Sequence, residues 1–136
     1  MGCGGGYILR FFDGPSLYLT GDTVLTPEVR DGLASGGADV VVVHAGGASL
    51  DLGRPILMTL DEIRQVVMLT TGRVVAVHLE ALNHCPITRI DLAEHLVASG
   101  LRARVDIPAD GETLGWAVIS KTPRRVPSVR DKWLKV

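Results

Sequence analysis

Apolar residues fall into short continuous runs that alternate with amphipathic segments. Two runs, residues 7–12 and 16–20, flank the turn residues 13–15 and predict a β-hairpin. The β-branched runs within 39–44 and 74–78 predict strands that are covered on both faces. Shorter strands are expected at 104–107 and 113–119, on either side of a turn at 110–111.

Three helices are predicted between these strands. The first begins at Thr26 and ends at glycines 36 and 37. The second begins with a capping box formed by Thr59 and Glu62 and ends at glycine 72. The third is capped by Thr88, with Asp91 three residues later, and closes at glycine 100. The order is a hairpin, then βαβαβ, then one more strand, which predicts an α/β layer.

Composition narrows the class of protein. A chain of 136 residues with 46% apolar and 21% charged residues fits one globular domain. We assign residues 1–122 to that domain and 123–136 to a basic, solvated tail. A net charge of −1 argues against nucleic-acid binding through a basic face. The chain has two cysteines and lacks an apolar run long enough for a bilayer, so we expect a cytoplasmic protein without membrane contact.

The candidate functional residues lie at the ends of predicted apolar strands. Asp22 follows the second hairpin strand, and His78 ends the run that begins at Val74. Ligands of open α/β sheets gather outside the carboxyl ends of the strands, so the two side chains are expected to share one edge. A carboxylate and an imidazole suit a divalent metal or acid–base chemistry. Two alternatives stay open: Asp22 helps to cap the helix at Thr26, or His78 is a buried, hydrogen-bonded histidine.

Several motifs together resemble a known family. They are Gly21-Asp22-Thr23 and the segments 40–47, 54–59, 77–80 and 108–112. Their order and spacing resemble the second half of metallo-β-lactamase-fold hydrolases, most of all the branch of ascorbate-6-phosphate lactonase. The resemblance covers about residues 5–118. Each motif alone is weak evidence for this family, whereas their common order and spacing are fairly specific to it.

This resemblance implies a fold and an activity. The fold would be half of an αββα sandwich, with one mixed sheet and helices on one face. Asp22 would bridge two metal ions, and His78 would coordinate the second. The metal, usually zinc and in some members manganese or iron, activates a water molecule at neutral pH. The substrate would be a small molecule with an ester, lactone, amide or phosphoester bond.

The sequence also departs from the family. The His-x-His-x-Asp-His segment is absent, as is a further histidine ahead of the hairpin, and His44, His84 and His95 occur singly. Catalytic zinc normally has three protein ligands, and two would hold it poorly. We therefore expect a truncated or half-domain chain, with the metal weakly bound or absent and with at most weak activity.

Two further positions are candidate substrate contacts. His84 precedes Cys85 in a loop, and the pair could also be zinc ligands or a cysteine nucleophile near His78. A structural role is favoured, because the loop has no second pair at ligand spacing. Arg89 opens a helix beside this loop, where it could meet an anionic substrate or form a salt bridge.

The leading rival function is non-catalytic. An α/β module of this kind could pair with itself or with a partner through the exposed face of its sheet. A third candidate is a phosphoacceptor or nucleotide-binding domain with Asp22 as the acceptor, but receivers of that kind begin with βαβ and not with a hairpin. Because the strands are apolar on both faces, we expect a homodimer in which two sheets pack face to face.

Overall fold

The computed structural model describes residues 5–49, 53, 55–80 and 82–116. Within these ranges the chain forms one five-stranded mixed sheet, three α-helices and a short 3-10 helix. In chain order the elements are β1 (Tyr7–Leu9), β2 (Leu17–Leu19), α1 (Pro27–Gly36), β3 (Val40–His44), α2 (Leu60–Leu69), β4 (Arg73–Val77), α3 (Arg89–Ala98), the 3-10 helix (Arg102–Arg104) and β5 (Val105–Asp106).

The strands lie side by side in their chain order. β1 pairs with β2 in the antiparallel sense, and β2 to β5 are parallel. Tyr18, Val41, Val74 and Val105 are in register across the four parallel strands. The carboxyl ends of β2, β3 and β4 therefore meet at one edge of the sheet.

The predicted helix starts are confirmed. Thr26 accepts a hydrogen bond from the Val29 amide at 3.3 Å at the start of α1. Capping boxes at Thr59 and Thr88 open α2 and α3. α2 ends at Leu69 and not at glycine 72, because Thr70 is extended and its N–H closes the last turn onto the Val66 carbonyl.

All three helices pack on the same face of the sheet. Alternation puts every second strand residue on that face, where it joins helix side chains in one buried cluster. The strands contribute Tyr18, Val41, Val43, Val74, Ala76 and Val105, and the helices contribute Val29, Leu33, Ile63, Val66, Val67, Leu92 and Leu96. This confirms the predicted α/β class, with one mixed sheet and helices on one side.

The opposite face of the sheet is only partly covered. Val40 and Val75 are buried there, whereas Leu17 and Leu19 remain half-buried. The exposed fraction rises toward the β1 edge, where Tyr7 is 69% exposed. The apolar edge continues past β1, where Phe11 is 55% and Phe12 89% exposed.

The C-terminal prediction differs in part from the structure. Residues 113–116 are not in a strand, and residues 117–119 and the proposed tail 123–136 lie outside the described residues. The predicted turn at 110–111 is present: Ala109 donates to the Glu112 carboxylate at 2.7 Å, and the Glu112 amide donates to the Ala109 carbonyl. None of the helices in the described ranges combines the length and apolar character that crossing a membrane requires.

Candidate metal centre

Three adjacent parallel strands each place one polar side chain at the same edge of the sheet. Asp22 lies three residues after β2, His44 is the last residue of β3, and His78 directly follows β4. The register pairs His44 with Val77, so the two histidines come from neighbouring strand ends. Asp22 and His78 thus lie at one edge, as their strand-end positions predict.

These three side chains are in direct contact. His44 Nδ1 is 2.5 Å from Asp22 Oδ1, and His78 Nδ1 is 3.3 Å from the same oxygen. The two Nδ1 atoms are 3.4 Å apart, and the rings meet edge to face. Two nitrogens bound tetrahedrally to zinc at about 2.0–2.1 Å would be separated by roughly 3.3 Å. The two distances to His78 match this value, whereas the 2.5 Å between His44 Nδ1 and Asp22 Oδ1 is a hydrogen-bond distance. The donor set therefore suits a divalent cation, and binding one would require His44 and Asp22 to move apart by about 1 Å.

The electrostatics favour a charged carboxylate in this group. The hydrogen bond from His44 lowers the pKa of Asp22, against an opposing effect of burial. Asp22 is thus ionised at neutral pH and acts only as an acceptor. Its side chain is 64% exposed, so the group is open to solvent on this side. The helix-cap alternative is less well supported, because Thr26 itself provides the capping oxygen of α1.

His78 has an unusual backbone conformation. Its φ is 54°, and it is the one non-glycine residue with positive φ in the described part of the chain. Such a conformation costs about 1–3 kcal/mol and tends to occur at functional sites. The pairing of β3 with β4 continues up to His78, since the Ala45 amide donates to the Val77 carbonyl at 2.9 Å.

A second group of possible ligands shares His78. The ligand atoms of His78, His84 and Cys85 all lie within 4.8 Å of one another. His84 is exposed, whereas Cys85 is 4% exposed and packs against Ala48 and Leu57. Burial raises the pKa of the Cys85 thiol. The packing supports the structural role expected for Cys85, and the geometry also places it among metal-binding side chains.

Arg89 forms salt bridges at the start of α3. Its guanidinium group donates to Glu80 at 2.7 Å, to Asp110 at 2.5 Å and to the Pro108 carbonyl at 2.9 Å. These contacts raise the pKa of Arg89, with the Glu80 hydrogen bond as the largest cause. The salt-bridge alternative is therefore present in the structure, and a contact between Arg89 and a substrate stays a prediction.

His44 is the residue that the sequence analysis missed. It was grouped with histidines that occur singly, yet it ends an apolar strand in the same way as His78. The rule that singled out Asp22 and His78 would have found it. With His44, three possible ligands lie together at one point, one more than the motifs predicted, and metal binding by them stays a prediction.

Solved proteins in which this arrangement of sheet and helices recurs are hydrolases. A solved isothiocyanate hydrolase from Delia radicum gut bacteria superposes with a TM-score of 0.78 at 33% identity. A possible metal-dependent hydrolase from Veillonella parvula DSM 2008 superposes with a TM-score of 0.75 at 31% identity. The matches cover 82% and 80% of this chain, respectively.

Among curated proteins, the UPF0173 protein YddR of Bacillus subtilis (strain 168) is 30% identical over 99 residues, which is 71% of this chain. No protein-family profile matches the chain. The matched part spans 39% of YddR and 43% and 42% of the two solved structures, less than half of each relative. These similarities relate the chain to a hydrolase superfamily.

Proposed function

We propose that this chain is the C-terminal half of a metallo-β-lactamase-superfamily hydrolase, and that Asp22, His44 and His78 hold a divalent cation, zinc or manganese. The observation that carries the proposal is the convergence of one carboxylate oxygen and two Nδ1 atoms within 3.4 Å of one another. Two histidines and one carboxylate are a frequent ligand set for a catalytic cation, which leaves positions free for water and substrate.

A cation in this group would lower the pKa of a bound water and polarise the bond to be cleaved. Residues of this chain would position the cation and its ligands. Asp22 supplies the negative charge, and its contact with both imidazoles fixes their orientation. The exposure of Asp22 leaves the site open on one side, where a small molecule can approach.

We propose an ester, lactone or phosphoester as the substrate class, with further ligands supplied by a second half-domain or another subunit. The resemblance to the ascorbate-6-phosphate lactonase branch supports a lactone or phosphoester. The similarity to a named isothiocyanate hydrolase, at 33% identity, adds an isothiocyanate to the candidates. His84 and Arg89 are the proposed substrate contacts, and of these two His84 is the more exposed.

We also propose that the partly covered face of the sheet pairs with a second copy of this chain. Tyr7 and Leu9 of β1 lie on that face with the half-buried Leu17 and Leu19 of β2. Exposed apolar residues that adjoin one another favour association over contact with water. In the alternative, non-catalytic hypothesis, the chain acts only by binding another copy or a partner through this surface, and it binds no metal.

A measurement of metal binding distinguishes the hydrolase hypothesis from the non-catalytic one. Calorimetric titration of the purified, metal-stripped chain with Mn²⁺, an ion that does not favour thiolate ligands, should show binding that Asp22→Asn and His44→Asn each weaken by about 10–100-fold or more. Asp61→Asn is the matched control, because Asp61 is a 74% exposed aspartate on α2. Equal affinity in the wild type and in both site variants would refute the proposed metal centre.

Activity is the second measurement. Assays with p-nitrophenyl esters, a lactone, a phosphodiester and an isothiocyanate, each with added zinc or manganese, should give weak turnover that Asp22→Asn abolishes. Three ligands leave the cation partly exposed, and catalysis depends on a fixed coordination shell. Turnover that persists in Asp22→Asn would show that hydrolysis occurs elsewhere or comes from a contaminant.

A further inference from the structure

The loop that follows β4 brings a thiol and a second imidazole next to the strand-end site. His84 and Cys85 lie six and seven residues after His78. The Cys85 amide donates to the Leu82 carbonyl at 2.9 Å, and the Ile87 amide donates to the Gly46 carbonyl at 3.2 Å. These bonds fold the loop back onto the residues that follow β3.

Gly46 makes this close approach possible. A Cβ at residue 46 would lie 2.5 Å from the His78 carbonyl oxygen and 2.8 Å from Cys85 Sγ. Only a residue without a side chain fits between the backbone of His78 and the thiol. The position of Cys85 relative to His78 is thus fixed by backbone packing and does not depend on a flexible side chain.

We propose that His78, His84 and Cys85 form a second cation site, one that prefers thiophilic ions such as Zn²⁺ or Cd²⁺. Their ligand atoms lie within 4.8 Å of one another, so they would have to approach by about 1 Å to bind one ion. Two imidazoles and a thiolate are zinc ligands, whereas Mg²⁺, Ca²⁺ and Mn²⁺ prefer oxygen. The site therefore differs in selectivity from the group built on Asp22.

The two loop residues of this group differ in exposure. Cys85 is 4% exposed and His84 is exposed, so an ion would reach the group from the His84 side. His78 belongs to both ligand groups. The site shares that residue with the proposed hydrolytic centre, but its other two ligands are separate and do not depend on the hydrolase proposal.

Cobalt spectroscopy tests the site directly. Co²⁺ bound to a thiolate gives a near-ultraviolet charge-transfer band that nitrogen and oxygen ligands do not give. The Cys3→Ser variant of the full chain is the reference, because it removes the other thiol. We expect the band in Cys3→Ser and its loss when Cys85→Ser is added. Absence of the band in Cys3→Ser, or its persistence in the double variant, would overturn the proposal.

Two further variants make the test independent of folding and of the hydrolase proposal. His84→Asn changes an exposed residue and should weaken Cd²⁺ binding by about 10–100-fold while the circular dichroism stays unchanged. Unchanged Cd²⁺ affinity in His84→Asn would also refute the site. Asp22→Asn should keep the cobalt–thiolate band, so loss of the hydrolytic centre and loss of the thiolate site can be told apart.

Discussion

Replacing Gly46 with alanine is expected to destabilise the fold and to disturb both ligand groups. Gly46 is buried, and an added Cβ would lie 2.5 Å from a carbonyl oxygen and 2.9 Å from Cys85 Cβ. The first of these neighbours is backbone, so the clash cannot be relieved by turning a side chain. Either the end of β3 or the loop after His78 must move.

The size of the effect follows from the cost of overpacking. Adding a methyl group to a closely packed interior costs about 1–3 kcal/mol. An unfolding entropy of roughly 2.1 cal/mol/K per residue, over 136 residues, makes 1 kcal/mol equal to about 3.5 °C in the melting temperature. We therefore expect Gly46→Ala to lower the melting temperature by about 3–10 °C.

Thermal unfolding followed by circular dichroism measures this shift in the metal-free chain. Gly115→Ala is the matched control, because a Cβ at residue 115 meets no atom within 4 Å. That variant should melt at the wild-type temperature or slightly above it. If Gly46→Ala melted within about 1 °C of the wild type, roughly 0.3 kcal/mol, the close packing around Gly46 would not exist as described.

Three other predictions concern assembly and stability. Light scattering of the wild type should give about twice the 14.5 kDa chain mass, and a 14.5 kDa species would contradict the dimer. Leu9→Glu should yield a monomer. Ile90→Glu, which changes an exposed residue of α3, should remain a dimer. Arg104→Ala should cost about 2 kcal/mol, read from urea denaturation, because Arg104 donates to three carbonyls at the end of α2; an unchanged midpoint contradicts that role. The hydrogen bond from Arg73 lowers the pKa of Asp106, so its stabilisation is complete above the ordinary carboxyl pKa and disappears as pH falls through the lowered value. Asp106→Asn should accordingly reduce the loss of stability that the wild type shows as the pH falls below the ordinary carboxyl pKa. An unaltered dependence of stability on pH in acid would contradict this.

Features set by neighbouring residues could be predicted from the sequence. The capping boxes at Thr59 and Thr88 need only residues three positions apart, and both are present. The β-branched runs gave β3 and β4 to within one residue at either end. Asp22 and His78 were singled out because Asp22 follows an apolar run and His78 ends one.

Features that depend on register and on loop path could not be predicted in the same way. The strand-end position of His44 could have placed it at the same edge, but its contact with Asp22 depends on the pairing of β2 and β3 with Leu19 opposite Val42. Cys85 approaches His78 because its loop returns to Gly46, thirty-nine positions earlier in the sequence. Neither the pairing offset nor the loop path is encoded in local spacing, so both appear only once the chain has folded.

The arrangement of strands in chain order has a consequence for how the protein is made. Each strand pairs with the strand synthesised just before it, and the paired residues Leu19 with Val42 and Val42 with Val75 are 23 and 33 positions apart. Pairing in chain order keeps these loops shorter than pairing between distant strands would, while the parallel pairs still form more slowly than the hairpin of β1 and β2. Asp22, His44 and His78 are all present once residue 78 has been made, while α3 and β5 are still missing. The three proposed cation ligands can therefore meet before α3 and β5 have docked, and a metal ion bound at that stage would help to order the remainder of the sheet.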